Sequence, residues 1–159
     1  MRRFRTYRVD MLTVIEKVIF LQNVEVFSEV ATEQLAYLAA IAEEMEYANG
    51  ESIYNVNDVS DALYLVVDGR VRLHLDERDI ASAGPKEAFG TWALFDDEPR
   101  VTSATAEDDS RLLRIDREDF VDLLADHIQI TQAVLKSVVS RLRSLVDRVG
   151  IERSAPEAP

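Results

Sequence analysis

A chain of 159 residues, 47% apolar and 30% charged, has the balance of one globular domain with its own core and is too short for two of ordinary size. Its net charge of −12 argues against duplex nucleic acid, whose binding rests on a basic face that neutralises phosphates, so no direct DNA binding by this chain is expected. The absence of cysteine removes disulfides, thiolate nucleophiles and cysteine zinc sites, and no apolar run reaches the ~18 residues of a membrane span, which leaves the cytoplasm as the default compartment.

Residues 1–9 form a basic stub in which Arg2, Arg3, Arg5 and Arg8 alternate with Phe4 and Tyr7. It reads either as a solvated chain end or as a contact for acidic lipid or a partner. Residues 10–46 are expected to be helical. Over residues 9–21, Leu12, Ile15, Val18 and Ile19 share an apolar face, interrupted by Thr13, Glu16 and Lys17. A second helix starts from a Thr32 cap and carries Leu35, Leu38, Ala42 and Met45 until Asn49-Gly50 stops it.

From residue 47 to 115 the period changes to two. Strands are expected at 51–54, 63–67, 71–75, 80–83, 101–106 and 111–115, with Asp68-Gly69 as a two-residue hairpin turn and 107–110 as the last turn. Helix returns over 116–149. Asp116 is its N-cap, Phe120, Leu123 and Leu124 make an apolar stripe, and Asp126-His127 is a soft break. Beyond it Ile128, Thr131, Leu135, Val138, Leu142, Leu145 and Val149 step by three and four, a heptad-like seam. That seam is either a homodimer or lid surface, or a face packed on the chain's own β unit. Residues 151–159 read as a disordered tail.

The turns carry more information than the periodicity. Tyr47-Ala48-Asn49-Gly50-Glu51-Ser52-Ile53-Tyr54, then Asp61-Ala62-Leu63-Tyr64-Leu65-Val66-Val67-Asp68-Gly69-Arg70-Val71, then Phe89-Gly90-Thr91-Trp92-Ala93-Leu94-Phe95 and Pro99-Arg100 resemble, in order and spacing, the cyclic-nucleotide-binding domain of the cAMP receptor protein and protein kinase A regulatory subunit type. The resemblance runs from about Leu21 to Leu124. It implies a mainly β fold with flanking α-helices: a double-stranded β-helix, or jelly-roll-like β-roll, with N-terminal helices, a phosphate-binding cassette containing a short helix, and a long C-terminal helix. The ligand-binding set it implies is Phe89, Gly90, Thr91, Trp92, Ala93, Arg100, Val101 and Thr102.

Elementary chemistry agrees with that cassette. A helix starting near Gly90 aims backbone N–H groups at an anion, and glycine allows close approach. The Arg100 fork suits a phosphate, the competing reading being a surface pair with Asp96, Asp97 or Glu98. Three positions depart from the pattern. Thr91 stands where nucleotide-binding members have the glutamate that accepts from the ribose 2′-hydroxyl, a loss worth ~1–2 kcal/mol. Lys86 stands where glycine is usual, and Val101 where a smaller residue is common, which points to a narrower or differently charged pocket. Trp92 is expected in the core, with the pocket wall as the alternative.

His74 and His127 lie on different predicted elements, no Gly-x-Ser-x-Gly turn occurs, and the acidic runs 96–98 and 107–109 do not fit a calcium loop. Neither metal, catalytic residue nor cofactor is expected, and the chain is not read as an enzyme. The family's transcription factors carry a helix-turn-helix after the long helix, for which residues 151–159 are too few, so an excised regulatory domain is expected, joined to an attached or partner effector. The functional expectation is a ligand-sensing module for a small-molecule nucleotide, cAMP or cGMP. A degenerate β-roll used for interaction or dimerisation is the alternative.

Overall fold

The computed structural model describes residues 11–153. Two helices, α1 (Val14–Leu21) and α2 (Thr32–Ile41), precede eight strands, and α3 (Arg117–Asp126) and α4 (Ile128–Arg153) follow them. Thr13 caps α1, its hydroxyl accepting from the Glu16 N–H at 3.1 Å. Ala31, not Thr32, is the N-cap of α2.

The strands are β1 (Ala42–Tyr47), β2 (Ser52–Tyr54), β3 (Ala62–Asp68), β4 (Val71–Leu75), β5 (Arg78–Ala83), β6 (Ala88–Phe89), β7 (Ser103–Ala106) and β8 (Ser110–Asp116). They form two antiparallel four-stranded sheets, ordered β1-β8-β3-β6 and β2-β7-β4-β5. This is the expected mainly β roll with helices at both ends. β3 is buried along its length apart from Asp68. Its odd residues Leu63, Leu65 and Val67 join the helices in one core, whereas Ala62, Tyr64 and Val66 face the second sheet.

Three expectations are corrected. Residues 42–47 are a strand, although Ala, Glu and Met favour helix; pairing with β8 from Ala42↔Ile115 to Tyr47↔Ser110 overrides that preference. Glu44 is matched across the pair by Arg111 at 3.6 Å. The Asp68-Gly69 turn is not a hairpin, since β3 and β4 lie in different sheets. It is a crossover packed against the 107–110 crossover: Arg70 N–H donates to Ser110 Oγ at 3.2 Å and Glu107 N–H to Arg70 O at 2.9 Å. Gly69, at φ +93°, is required there because a Cβ would stand 2.2 Å from Ser110 Oγ. Finally, α4 runs through Gly150 to Arg153, so the tail does not begin at 151; one glycine lowers helix stability by only ~1 kcal/mol. Residues 1–10 and 154–159, which hold the basic stub and the rest of the tail, lie outside the described residues.

Asp116 caps α3 as expected, accepting from Glu118 N–H at 2.8 Å, and His127 ends that helix.

Candidate functional site: the Arg100 pocket

Between β6 and β7 the chain makes a 3-10 turn, Thr91–Leu94, entered through Gly90 at φ +71°. Arg100 lies against it from the far side of the same loop and is only 5% exposed. Its Nη2 donates to Ala62 O at 2.6 Å, its Nη1 to Gly90 O at 3.4 Å, and Asp61 Oδ1 is 3.9 Å away. The guanidinium carbon rests 4.1 Å from the centre of the Tyr54 ring and 5.9 Å from that of Tyr64, which itself stacks on Phe89 at 5.3 Å. A Cβ at position 90 would come within 2.5 Å of Nη1, so glycine is what lets the cation lie on the cassette backbone.

The loop before β3 fixes the arginine's backbone: Asn57 N–H donates to Arg100 O at 2.8 Å and Arg100 N–H to Asp58 O at 2.9 Å. Burial raises the Tyr54 phenol above its ordinary value, against the pull of Arg100 and of a hydrogen bond with Thr102, so it stays neutral beside the cation. One donor is left over. Arg100 Nε is buried and has no hydrogen-bond partner, an arrangement that costs free energy until an acceptor arrives.

Gly90, Thr91, Ala93, Arg100 and Thr102, with Phe89, Trp92 and Val101, line one cavity of about 490 Å³, within the range of small-molecule sites. The structure therefore brings together all eight residues singled out from sequence, and adds Tyr54, Ser60, Leu73 and the Asp61 carboxylate near the arginine. Tyr54 and Asp61 stand within the motif blocks, but contacts made through the ring face or across a loop leave no local pattern to read.

The family model described as "Cyclic nucleotide-binding domain" matches residues 44–127. The chain belongs to that family. The "Cyclic AMP receptor protein" of Thermus thermophilus is 34% identical over 122 residues, covering 74% of this chain and 56% of the relative. "Lysophospholipase nte1" of Aspergillus terreus is 33% identical over 111 residues, 67% of this chain but 7% of that protein. Among solved structures, the N-terminal domain of a transcriptional regulator from Streptomyces coelicolor superposes with a TM-score of 0.76 at 32% identity, over 82% of this chain and 94% of that one. The chain thus spans about half the length of the regulator it matches.

Against that family pattern, several details are settled by geometry. The surface-pair reading of Arg100 fails, because the side chain is buried and its carboxylate neighbour is Asp61. Trp92 is not core: it is 75% exposed at the pocket mouth. Val101 is likewise exposed on the rim and does not intrude. Lys86 has φ +72°, the left-handed region that glycine adopts without strain; it lines a separate cavity of about 420 Å³ with Thr91, Trp92, Ser137 and Arg141.

In this cyclic nucleotide-binding domain the cassette also touches the C-terminal helices. Phe95 meets Phe120 of α3 edge-on at 5.9 Å, and Arg117 Nη1 donates to Asp96 O at 2.6 Å and to Ser60 O at 3.1 Å. α4 packs on the body through Ile130, Val134 and Ser137, with Ser137 Oγ accepting from Glu29 N–H at 3.0 Å. The expected seam is a different face. Leu135, Leu142, Leu145 and Val149 are exposed, Leu142 by 57%, so they are not packed on the chain's own roll. Among the described residues no cluster of acidic or histidine side chains is placed to hold a metal.

Proposed function

We propose that this domain is a regulatory module that binds a cyclic nucleotide, cAMP or cGMP, and passes a conformational change to α3 and α4 as part of a larger protein. The observation that carries the reading is Arg100: a buried cation at a 490 Å³ cavity, with an orphan Nε and the turn opened by Gly90 lining the same cavity. The single negative charge of a cyclic phosphodiester suits one guanidinium. Thr91, partly exposed on the same wall, is the residue left for the ribose. Similarity to the cyclic AMP receptor protein of Thermus thermophilus supports cAMP as the first ligand to try.

Ligand can shift α3 and α4 only to the extent that it binds one arrangement of the cassette better than another. The Phe95–Phe120 and Arg117–Asp96 contacts supply a mechanical route for that preference, and the exposed seam of α4 is the surface that a second copy or an attached effector would read. Calorimetric titration of the chain with cAMP and with cGMP, followed by sedimentation of the free and loaded protein, tests the reading. Saturable binding is expected. Silence at millimolar ligand in a folded protein overturns it in favour of a β-roll used only for interaction.

A further inference from the structure

Arg100 and Trp92 line the same cavity at opposite extremes of burial. The guanidinium is enclosed and the indole is 75% exposed, so one part of the cavity wall carries a buried charge and another an open aromatic ring. Trp92 is the second residue of the turn Thr91–Leu94, whose next two side chains, Ala93 and Leu94, are buried. A turn this short buries one side only, and the ring falls on the other. Val101, 77% exposed, lines the cavity with it. Two large apolar side chains left open on the rim of one cavity make a surface that a ligand in it would cover.

The other aromatic residues on that wall, Tyr54 and Phe89, are already engaged. The Tyr54 ring carries the Arg100 guanidinium at 4.1 Å, Phe89 stacks on Tyr64 at 5.3 Å, and the two tilt against each other at 6.1 Å. Among the described residues neither a ring nor a cation stacks on Trp92. A nucleotide has a matching polarity, with an anionic phosphate at one end, a flat base at the other and the ribose between. With the phosphate at Arg100 and the ribose beside Thr91, as the function proposed above requires, the next residue along the turn is Trp92. We propose that the Trp92 indole is the platform on which the nucleobase stacks, which makes it the residue that selects a nucleotide over a plain phosphodiester. Every base has a π face, so the platform accepts adenine and guanine alike. Helix α4 is a poorer cover for the ring, because a separate cavity of about 420 Å³ lies between them, lined by Trp92, Ser137 and Arg141, and Arg141 is held by Glu25.

Trp92 is the one tryptophan of the chain, so tryptophan emission reports this position alone. Titrating the full chain with cAMP and with cGMP, by calorimetry and by fluorescence together, tests the inference. Stacking quenches the indole and shields it from acrylamide, with the same midpoint that calorimetry gives. Trp92→Ala is expected to weaken both nucleotides about five- to a hundredfold, the range of a base–aromatic stack, and to leave the melting temperature unchanged because the ring is exposed. Trp92→Phe, which keeps a π face, restores most of the loss. Calorimetric binding that Trp92→Ala leaves at full strength overturns the inference while the nucleotide reading stands, whereas no binding by the unaltered chain overturns both. Emission that shifts to the blue on binding without being quenched also overturns it, and assigns the indole to packing on α4.

Discussion

The roll has two cores, and β3 belongs to both. On one face Leu63, Leu65 and Val67 meet α1, α2, α3 and α4 in a cluster of large side chains, with Phe27, Leu35, Leu38, Leu113, Ile115, Phe120 and Ile130 and no charged group. On the other, Ala62, Tyr64 and Val66 meet Ala83, Phe89, Ala104 and Leu112, a set in which small residues alternate with aromatic ones. Large aliphatic side chains interdigitate and leave little space. Alanines opposite tyrosines leave space, and the cavity and the buried Arg100 are on that side. One half of the domain is built to be stable, which allows the other to hold a cation with an unmatched donor.

The sharpest way to break that division is to exchange a residue in each half and read stability and binding separately. Phe120→Ala removes a fully buried ring that touches Phe27 at 6.1 Å and Phe95 at 5.9 Å. The expected cost is about 3–5 kcal/mol of unfolding free energy, measured by urea denaturation. Arg100→Leu is expected to cost less. It removes a buried charge whose Nε is already unpaired, and Asp61, 54% exposed, keeps its hydration without it, but Ala62 O and Gly90 O lose their guanidinium donors, so the loss is that of an unpaired buried acceptor, about 1–3 kcal/mol. Affinity for a cyclic nucleotide falls by about 3 kcal/mol, over a hundredfold, because the phosphate loses its countercharge. If Arg100→Leu unfolds the protein as Phe120→Ala does, the arginine is a structural strut and the two halves are not different in kind.

The same division explains what could be read in advance. Phe89 to Thr102 is legible through the resemblance of its Phe-Gly and Pro-Arg blocks to the cyclic-nucleotide-binding domain, and close approach at Gly90 and the countercharge of Arg100 give that resemblance its physical sense. Residues 42–47 are not: Glu43, Glu44 and Met45 carry helical propensity, and only β8, some seventy residues on, makes them a strand. The β3–β4 turn failed for a related reason. Asp68-Gly69 specifies a reversal, yet which sheet the next strand joins is set by β7 and β5. The size of Trp92 favours the core, whereas a 3-10 turn of four residues has an outward side that a large ring can occupy. For α4, apolar spacing locates a single seam from Ile128 to Val149, and only packing shows that Ile130 and Val134, outside it, face the body while Leu135 and Leu142 do not.

The smallest effect discriminates best within the pocket. Thr91 stands on the cavity wall beside Arg100, at the first position of the turn that Gly90 opens. Thr91→Glu places a carboxylate there that can accept from a ribose 2′-hydroxyl, a charge-assisted bond that threonine cannot make, and is expected to tighten binding by ~1–2 kcal/mol, roughly five- to thirtyfold. The gain is bounded from above by Arg100 itself, since a glutamate close enough to pair with the guanidinium would neutralise the group the phosphate needs. Titration with the 2′-deoxy nucleotide separates these cases. It lacks the accepted proton, so it should bind the variant much more weakly than the parent nucleotide does, and differ little between the two in the Thr91 protein. A variant that binds both nucleotides more weakly than the Thr91 protein would show the carboxylate engaging Arg100, and one that leaves affinity and discrimination unchanged would place the ribose elsewhere in the cavity.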